Sequence, residues 1–156
     1  MSARLFMRRA IELSRTMMER GAGGPFGAVI VKDGKVIAEG FNRVTTSNDP
    51  TAHAEIVAIR AACEALGSFS LKGCEIYASC EPCPMCLAAI YWSRIDRIYF
   101  ANDRAAAAKI GFDDEFLYRE LTLPLAARLI PTEHLPSADA RAAFDAWMAK
   151  PDKTPY

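Results

Sequence analysis

The chain has 156 residues, enough for one sizeable hydrophobic core and too few for two comfortable ones. Lys plus Arg and Asp plus Glu number 19 each, so no global basic field marks nucleic acid or an anionic membrane as the main partner. The apolar share is 51%, yet no stretch nears the ~20 apolar residues that span a bilayer and no apolar leader opens the chain. With an odd count of five cysteines, this points to a compact protein of the reducing cytoplasm and away from a secreted disulfide framework.

From about Ala3 to Arg20 the residues Phe6, Ala10, Leu13 and Met17 recur on one face, with charged residues mostly elsewhere, which predicts an amphipathic helix. A Gly-rich stretch ending in Pro25 stops it. Ala28–Val31 and Val36–Ala38 then flank Asp33-Gly34, the signature of a hairpin. Phe26, where the Gly-Pro loop meets the first strand, could line a pocket or pack on the first helix. Asn42 to Pro50 is polar and rich in turn formers, so it is expected as a loop. Thr51 is the expected N-cap of a helix running from about Ala52 to Leu66, which carries apolar residues on two sides and is stopped by Gly67.

Glu75–Ser79 reads as a short strand leading into a helix from about Pro84 to Ser93, and a further strand is expected near Arg97–Ala101. In Gly111 to Phe116, acidic and aromatic residues stand together, either a helix start with Asp as cap or part of a site. Leu121 to Ile130 could hold a last strand, bounded by Pro124 and Pro131, and Ser137 to Lys150 is a final amphipathic helix. The alternation of helices and strands implies a layered α/β fold with a sheet of about five strands.

Two short stretches carry the chemistry. Pro50-Thr51-Ala52-His53-Ala54-Glu55 sets a metal-ligand imidazole two residues from a carboxylate. Glu81-Pro82-Cys83-Pro84-Met85-Cys86 follows, its first ligand cysteine thirty positions after His53. Cysteines three apart at a helix start project from one face and can grip one ion, and the helix N-terminus favours their thiolate forms. His53, Cys83 and Cys86 give three ligands, the number a catalytic zinc takes when it keeps a position for water. Zinc brings the pKa of such a water toward neutrality, and Glu55, adjacent but not needed as a ligand, is suited to carry its proton to the substrate. H-x-E followed by P-C-x-x-C is the pattern of zinc-dependent base deaminases. A closed structural site with Cys80 as fourth ligand stays open at this level. Otherwise Cys63, Cys74 and Cys80 are expected to be core or spare thiols.

On these motifs, on Gly23–Val29, on Asn42–Glu55, on Ser79–Trp92 and on Gly111–Asp114, nearly the whole chain resembles the cytidine deaminase-like superfamily and, within it, the bacterial guanine deaminases. The resemblance implies a three-layer α/β/α sandwich over residues 1–156, zinc on His53, Cys83 and Cys86, Glu55 as proton shuttle, and hydrolysis of guanine to xanthine and ammonia. It also implies a homodimer whose C-terminal helix and tail, 137–156, are exchanged between subunits so that Tyr156 closes the partner's site. Pro151 and Pro155, flanking the tail, depart from the family pattern. Asp114 is chosen over Asp113, by resemblance, as the carboxylate that accepts from the guanine N–H groups.

Three further contacts suit a purine base. The Asn42 amide offers a donor and an acceptor to a base edge. Trp92, after the cysteine helix, could stack on or wall the ring. The backbone N–H of Ala54, at a helix start beside the metal, could donate to the ring oxygen. The rivals are a tRNA adenosine deaminase, another nucleobase or nucleoside deaminase, and a noncatalytic zinc-stabilised interaction module. The balanced charge disfavours a tRNA binder, whose footprint should be basic.

Overall fold

The structure is a computed structural model and describes residues 2–156. Two compact units divide the chain, one ending at Tyr118 and the other running from Arg119 to Tyr156.

The first unit is built on a mixed sheet of four strands in the order β2-β1-β3-β4, with β1 at Gly27–Lys32, β2 at Lys35–Phe41, β3 at Cys74–Cys80 and β4 at Arg97–Asn102. β1 pairs antiparallel with both β2 and β3, and β3 pairs parallel with β4. The hairpin between β1 and β2 turns at Asp33 and Gly34, both with positive φ, as Asp-Gly requires. Among the described residues the sheet has four strands and not about five. The expected strand within 121–130 is absent because Pro124 opens a 3-10 turn at Leu125–Ala127, where ladder hydrogen bonding cannot start.

Helices cover both faces of the sheet, so the architecture is the expected three layers. Strand alternation sorts the side chains. Val29, Val31 and Tyr77 face α1 (Ala3–Glu19) and pack with Phe6, Ala10 and Leu13. Ala28, Ile30 and Ile76 face the other way, into a core shared with α3 (Ala54–Leu66) and with Ile90 of α4 (Pro84–Trp92). The buried stripe of α3 is Ala54, Ala58 and Ala62, with the larger Ile56 and Ile59 only partly buried. The reason is Gly40 in β2. A Cβ there would stand 2.2 Å from the Ala54 carbonyl oxygen and 2.6 Å from the Ala58 nitrogen, so helix and strand backbones touch.

The region 42–50 is not all loop: Val44–Ser47 forms a single helical turn, α2, ended by Asn48 in the left-handed conformation. Thr51 is not the N-cap of α3. His53 is, and the Thr51 hydroxyl and N–H both donate to Asp49 at 2.7 and 2.9 Å. The first unit is completed by α5 (Arg104–Lys109) and the start of α6 (Asp114–Thr122).

In the second unit, α6 ends, the 3-10 turn follows, and α7 spans Ala138–Ala149. None of its residues is buried: Leu129, Ile130, Leu135, Phe144 and Met148 are all exposed. Among the described residues no helix is long and apolar enough to cross a membrane.

Candidate active site

The strand pairing brings four chain segments to one edge of the sheet. Gly27 lies opposite Phe41, Ala28 opposite Ala78, and Cys80 opposite Asn102, so the approach to β1 and the exits of β2, β3 and β4 converge. The helices that start there bring His53 and Glu55 on α3, Cys83 and Cys86 at α4, and Asp114 on α6. A cavity of about 230 Å³ opens at this edge, lined by Asn42, His53, Glu55, Cys83 and Asp114 and walled by Phe26 and Phe112.

His53 and Cys83 are the N-caps of their helices, and neither side chain makes a capping hydrogen bond. They are turned toward each other instead. His53 Nδ1 stands 3.6 Å from Cys83 Sγ and 3.5 Å from Cys86 Sγ, and the three donor atoms lie within 4.8 Å of one another. Sulfur at about 2.3 Å and nitrogen at about 2.1 Å from a tetrahedral ion stand about 3.6 Å apart, so the spacing and donor set fit zinc. The contact between the two sulfurs sets their protonation. Cys83 is held down at about 4, first by the hydrogen bond from the Cys86 side chain, while the same contact raises Cys86. His53 is raised by its bond to Cys83. Cys80 lines the cavity but stands outside this triad; its thiol faces the Asp103 carbonyl at 3.9 Å, and burial pushes it up to about 11.

Glu55, on the first turn of α3, is buried, and desolvation pushes its carboxyl up to about 7. A carboxyl that changes charge near neutral pH is the form a proton carrier needs. Asp114 is raised as well, first by desolvation and then by the field of Cys83. Its neighbour Asp113 does something else: its carboxylate accepts from the Phe116 N–H at 3.0 Å and so caps α6.

Asn42 is buried, and its side-chain oxygen accepts from the backbone N–H groups of Gly24 at 3.2 Å and Val44 at 3.1 Å. The amide acceptor is therefore committed to the loop, and the Nδ2 donors are what the residue keeps for a ligand. Gly23 makes this possible, since a Cβ there would meet the Asn42 side-chain oxygen at 2.5 Å.

Ala54 is the fully buried first residue of α3. Trp92 ends α4 and is 62% exposed, not among the cavity's walls. Tyr156 belongs to the second unit and is 75% exposed.

Phe112, Glu81 and Thr45 also line the cavity; the sequence marks the stretches around Phe112 and Glu81 without giving either residue a role, and Thr45 falls in the region expected as a loop. Phe112 meets Phe26 edge-on with ring centroids 4.8 Å apart. Its place between Gly111 and two aspartates was a signal that an apolar side chain was being held at a site.

A sequence profile of the cytidine and deoxycytidylate deaminase zinc-binding region matches residues 1–102. The chain belongs to this zinc-binding deaminase family. Among curated relatives of this deaminase, the guanine deaminase of Bacillus subtilis is 50% identical over 156 residues, covering 100% of both chains. The tRNA-specific adenosine deaminase of Agrobacterium fabrum is 52% identical over 95 residues, 61% of this chain and 62% of the relative. The X-ray structure of the Bacillus subtilis guanine deaminase superposes with a TM-score of 0.97 at 50% identity, over 100% of this chain and 99% of that one. A guanine deaminase structure from Nitrosomonas europaea gives 0.69 at 33% identity, over 72% of this chain and 65% of that one.

Proposed function

We propose that this deaminase acts on guanine, releasing xanthine and ammonia. The observation that carries the reading is Asp114. It stands beyond the family match at 1–102, in a stretch that the full-length match to the Bacillus subtilis relative also covers, and it lines the cavity whose other walls include His53 and Cys83. Guanine sets a ring N–H beside the amine to be lost, and a carboxylate accepts from both. The matching edge of adenine sets an acceptor beside its amine, which a carboxylate repels.

His53, Cys83 and Cys86 hold zinc, which when bound supplies the Lewis acidity that makes water nucleophilic near neutral pH. Glu55 takes one proton of the attacking water and passes it to the ring nitrogen, then takes the remaining proton from the hydroxyl added to the carbon and delivers it to the leaving amine as the carbonyl forms. A C–O bond forms, the C–N bond breaks, and the products are a carbonyl and ammonia. The Nδ2 donors of Asn42 and the backbone N–H of Ala54 meet acceptors on the base, and Phe26 and Phe112 confine its edges.

Trp92, at the end of α4, stacks on or walls the base, and Tyr156 joins the site in a homodimer that exchanges residues 137–156. The support is the second unit itself, which leaves Leu129, Ile130, Leu135, Phe144 and Met148 exposed in the single chain. Removing residues 151–156 then cuts guanine turnover; unchanged turnover takes Tyr156 out of the site. The five free cysteines favour the reducing cytoplasm as the setting.

The test of substrate is ammonia release by the zinc-loaded protein offered guanine, cytosine, cytidine, adenosine and an adenosine-bearing tRNA stem-loop in parallel. Turnover of guanine alone is the expected result. Turnover of the stem-loop alone would make the substrate a tRNA and leave the chemistry unchanged.

A further inference from the structure

The loop that carries the first ligand cysteine has little backbone of its own to hold it. Pro82 and Pro84 each lack an N–H, so Glu81-Pro82-Cys83-Pro84 leaves carbonyls to be satisfied from elsewhere. Glu81 is tied to the end of β4 by its N–H, which donates to the Asn102 carbonyl at 2.7 Å. The Pro82 carbonyl accepts the hydroxyl of Tyr118 at 2.6 Å. The Glu81 carboxylate accepts from the backbone N–H of Arg104 at 3.1 Å and from its Nε at 2.8 Å, with the Nη2 also 2.8 Å away. The Arg104 guanidinium in turn lies 3.6 Å from the centre of the Tyr118 ring.

Tyr118 is one helical turn beyond Asp114 on α6, so the two side chains leave the helix on one face. Asp114 lines the cavity, and Tyr118 grips the loop beneath Cys83. One closed circuit thus joins the ligand loop, the first residue of α5 and the helix that carries the cavity carboxylate.

We infer that Tyr118 and Arg104 are positioning residues that fix the distance between Asp114 and the metal ligand Cys83, Tyr118 through the Pro82 carbonyl and Arg104 through Glu81 and the Tyr118 ring. They touch neither substrate nor metal. The inference rests on the guanine reading for its kinetic consequence, and on the geometry alone for its consequence at the metal. A free Pro82 carbonyl lets Cys83 turn, and a released α6 lets Asp114 drift from the base.

The test uses Tyr118→Phe, which keeps the ring under Arg104 and removes only the hydroxyl, beside Arg104→Lys, which keeps the charge and loses the planar fork. Each variant is compared with wild type in zinc-loaded form for kcat and KM on guanine and for melting temperature, and in cobalt-substituted form for its thiolate-to-metal absorption bands. Expected for Tyr118→Phe are a rise in KM of about tenfold with kcat within about threefold, shifted cobalt bands, and little change in melting temperature. Arg104→Lys is expected to behave likewise. Unchanged cobalt bands together with unchanged KM overturn the inference, as does a loss of activity that only tracks a loss of folded protein. Should wild type fail to turn over guanine, the guanine reading fails, and the cobalt bands alone decide: shifted in Tyr118→Phe they sustain the positioning role, unshifted they end it.

Discussion

The side-chain oxygen of Asn42 stands 3.2 Å from the N–H of Gly24 and accepts from it, joining the loop before β1 to the loop after β2 across the mouth of the cavity. The same oxygen takes the N–H of Val44. Asn42→Ala leaves both donors without that acceptor at a buried position, a cost of about 1–3 kcal/mol. Chemical denaturation should show that loss together with a raised KM for guanine. A loss of affinity with full stability would mean that Asn42 serves the ligand alone.

Gly40 sets how closely α3 lies on the sheet, and α3 carries both His53 and Glu55 at its start. Gly40→Ala drives a methyl group into the Ala54 carbonyl and the Ala58 nitrogen, which are backbone atoms that cannot swing aside. The expected cost is at least the about 1–3 kcal/mol of an overpacked core, and the surviving folded protein should bind zinc less tightly. Wild-type stability and zinc affinity in this variant would contradict the close approach.

Arg9 of α1 clamps Glu39 of β2 with two hydrogen bonds of 2.7 and 2.9 Å. The guanidinium holds the Glu39 carboxyl below its usual range, and Glu39 in turn raises Arg9. A depressed carboxylate stabilises the fold above its unfolded pKa, near 4.5, and the benefit is lost as pH falls through the folded value. Both side chains are more than a third exposed, so solvent screening reduces the pair to about 0.5–1 kcal/mol. Glu39→Gln should lose that amount in urea titrations at pH 7 and nothing at pH 2. An equal loss at both values would locate the effect in packing and not in charge.

Much of this was legible because it is local. The Asp33-Gly34 hairpin, the Phe6, Ala10 and Leu13 stripe, the His53-Glu55 pair at the start of α3 and the Cys83-Cys86 pair at the start of α4 are each fixed within a few residues. What escaped the sequence depends on contacts between distant segments. Alanines form the buried stripe of α3 because Gly40, fourteen positions before Ala54, admits nothing larger, whereas α3 read alone offers apolar residues on two sides without choosing between them. Thr51 has the chemistry of an N-cap, but Asp49 takes its hydroxyl and His53 takes the position. The apolar run at 121–130 looked long enough for a strand, and Pro124 turned it into a 3-10 bend. The acceptor of Asn42 is spent on Gly24, eighteen positions earlier, which the amide's chemistry alone does not disclose. Asp113 and Asp114 differ by one place; resemblance chose Asp114, and the course of α6 gives the physical division, with Asp113 at the cap and Asp114 at the cavity.

The central claim, that Glu55 moves the protons of guanine deamination beside zinc on His53, Cys83 and Cys86, is tested most directly by guanine turnover in wild type and Glu55→Gln, each assayed for bound zinc and folded content. Full zinc occupancy, a native fold and a fall in kcat of about 10²–10⁴ or more are the predicted result. Turnover that survives the substitution would contradict the account, because the water's proton would then have another acceptor.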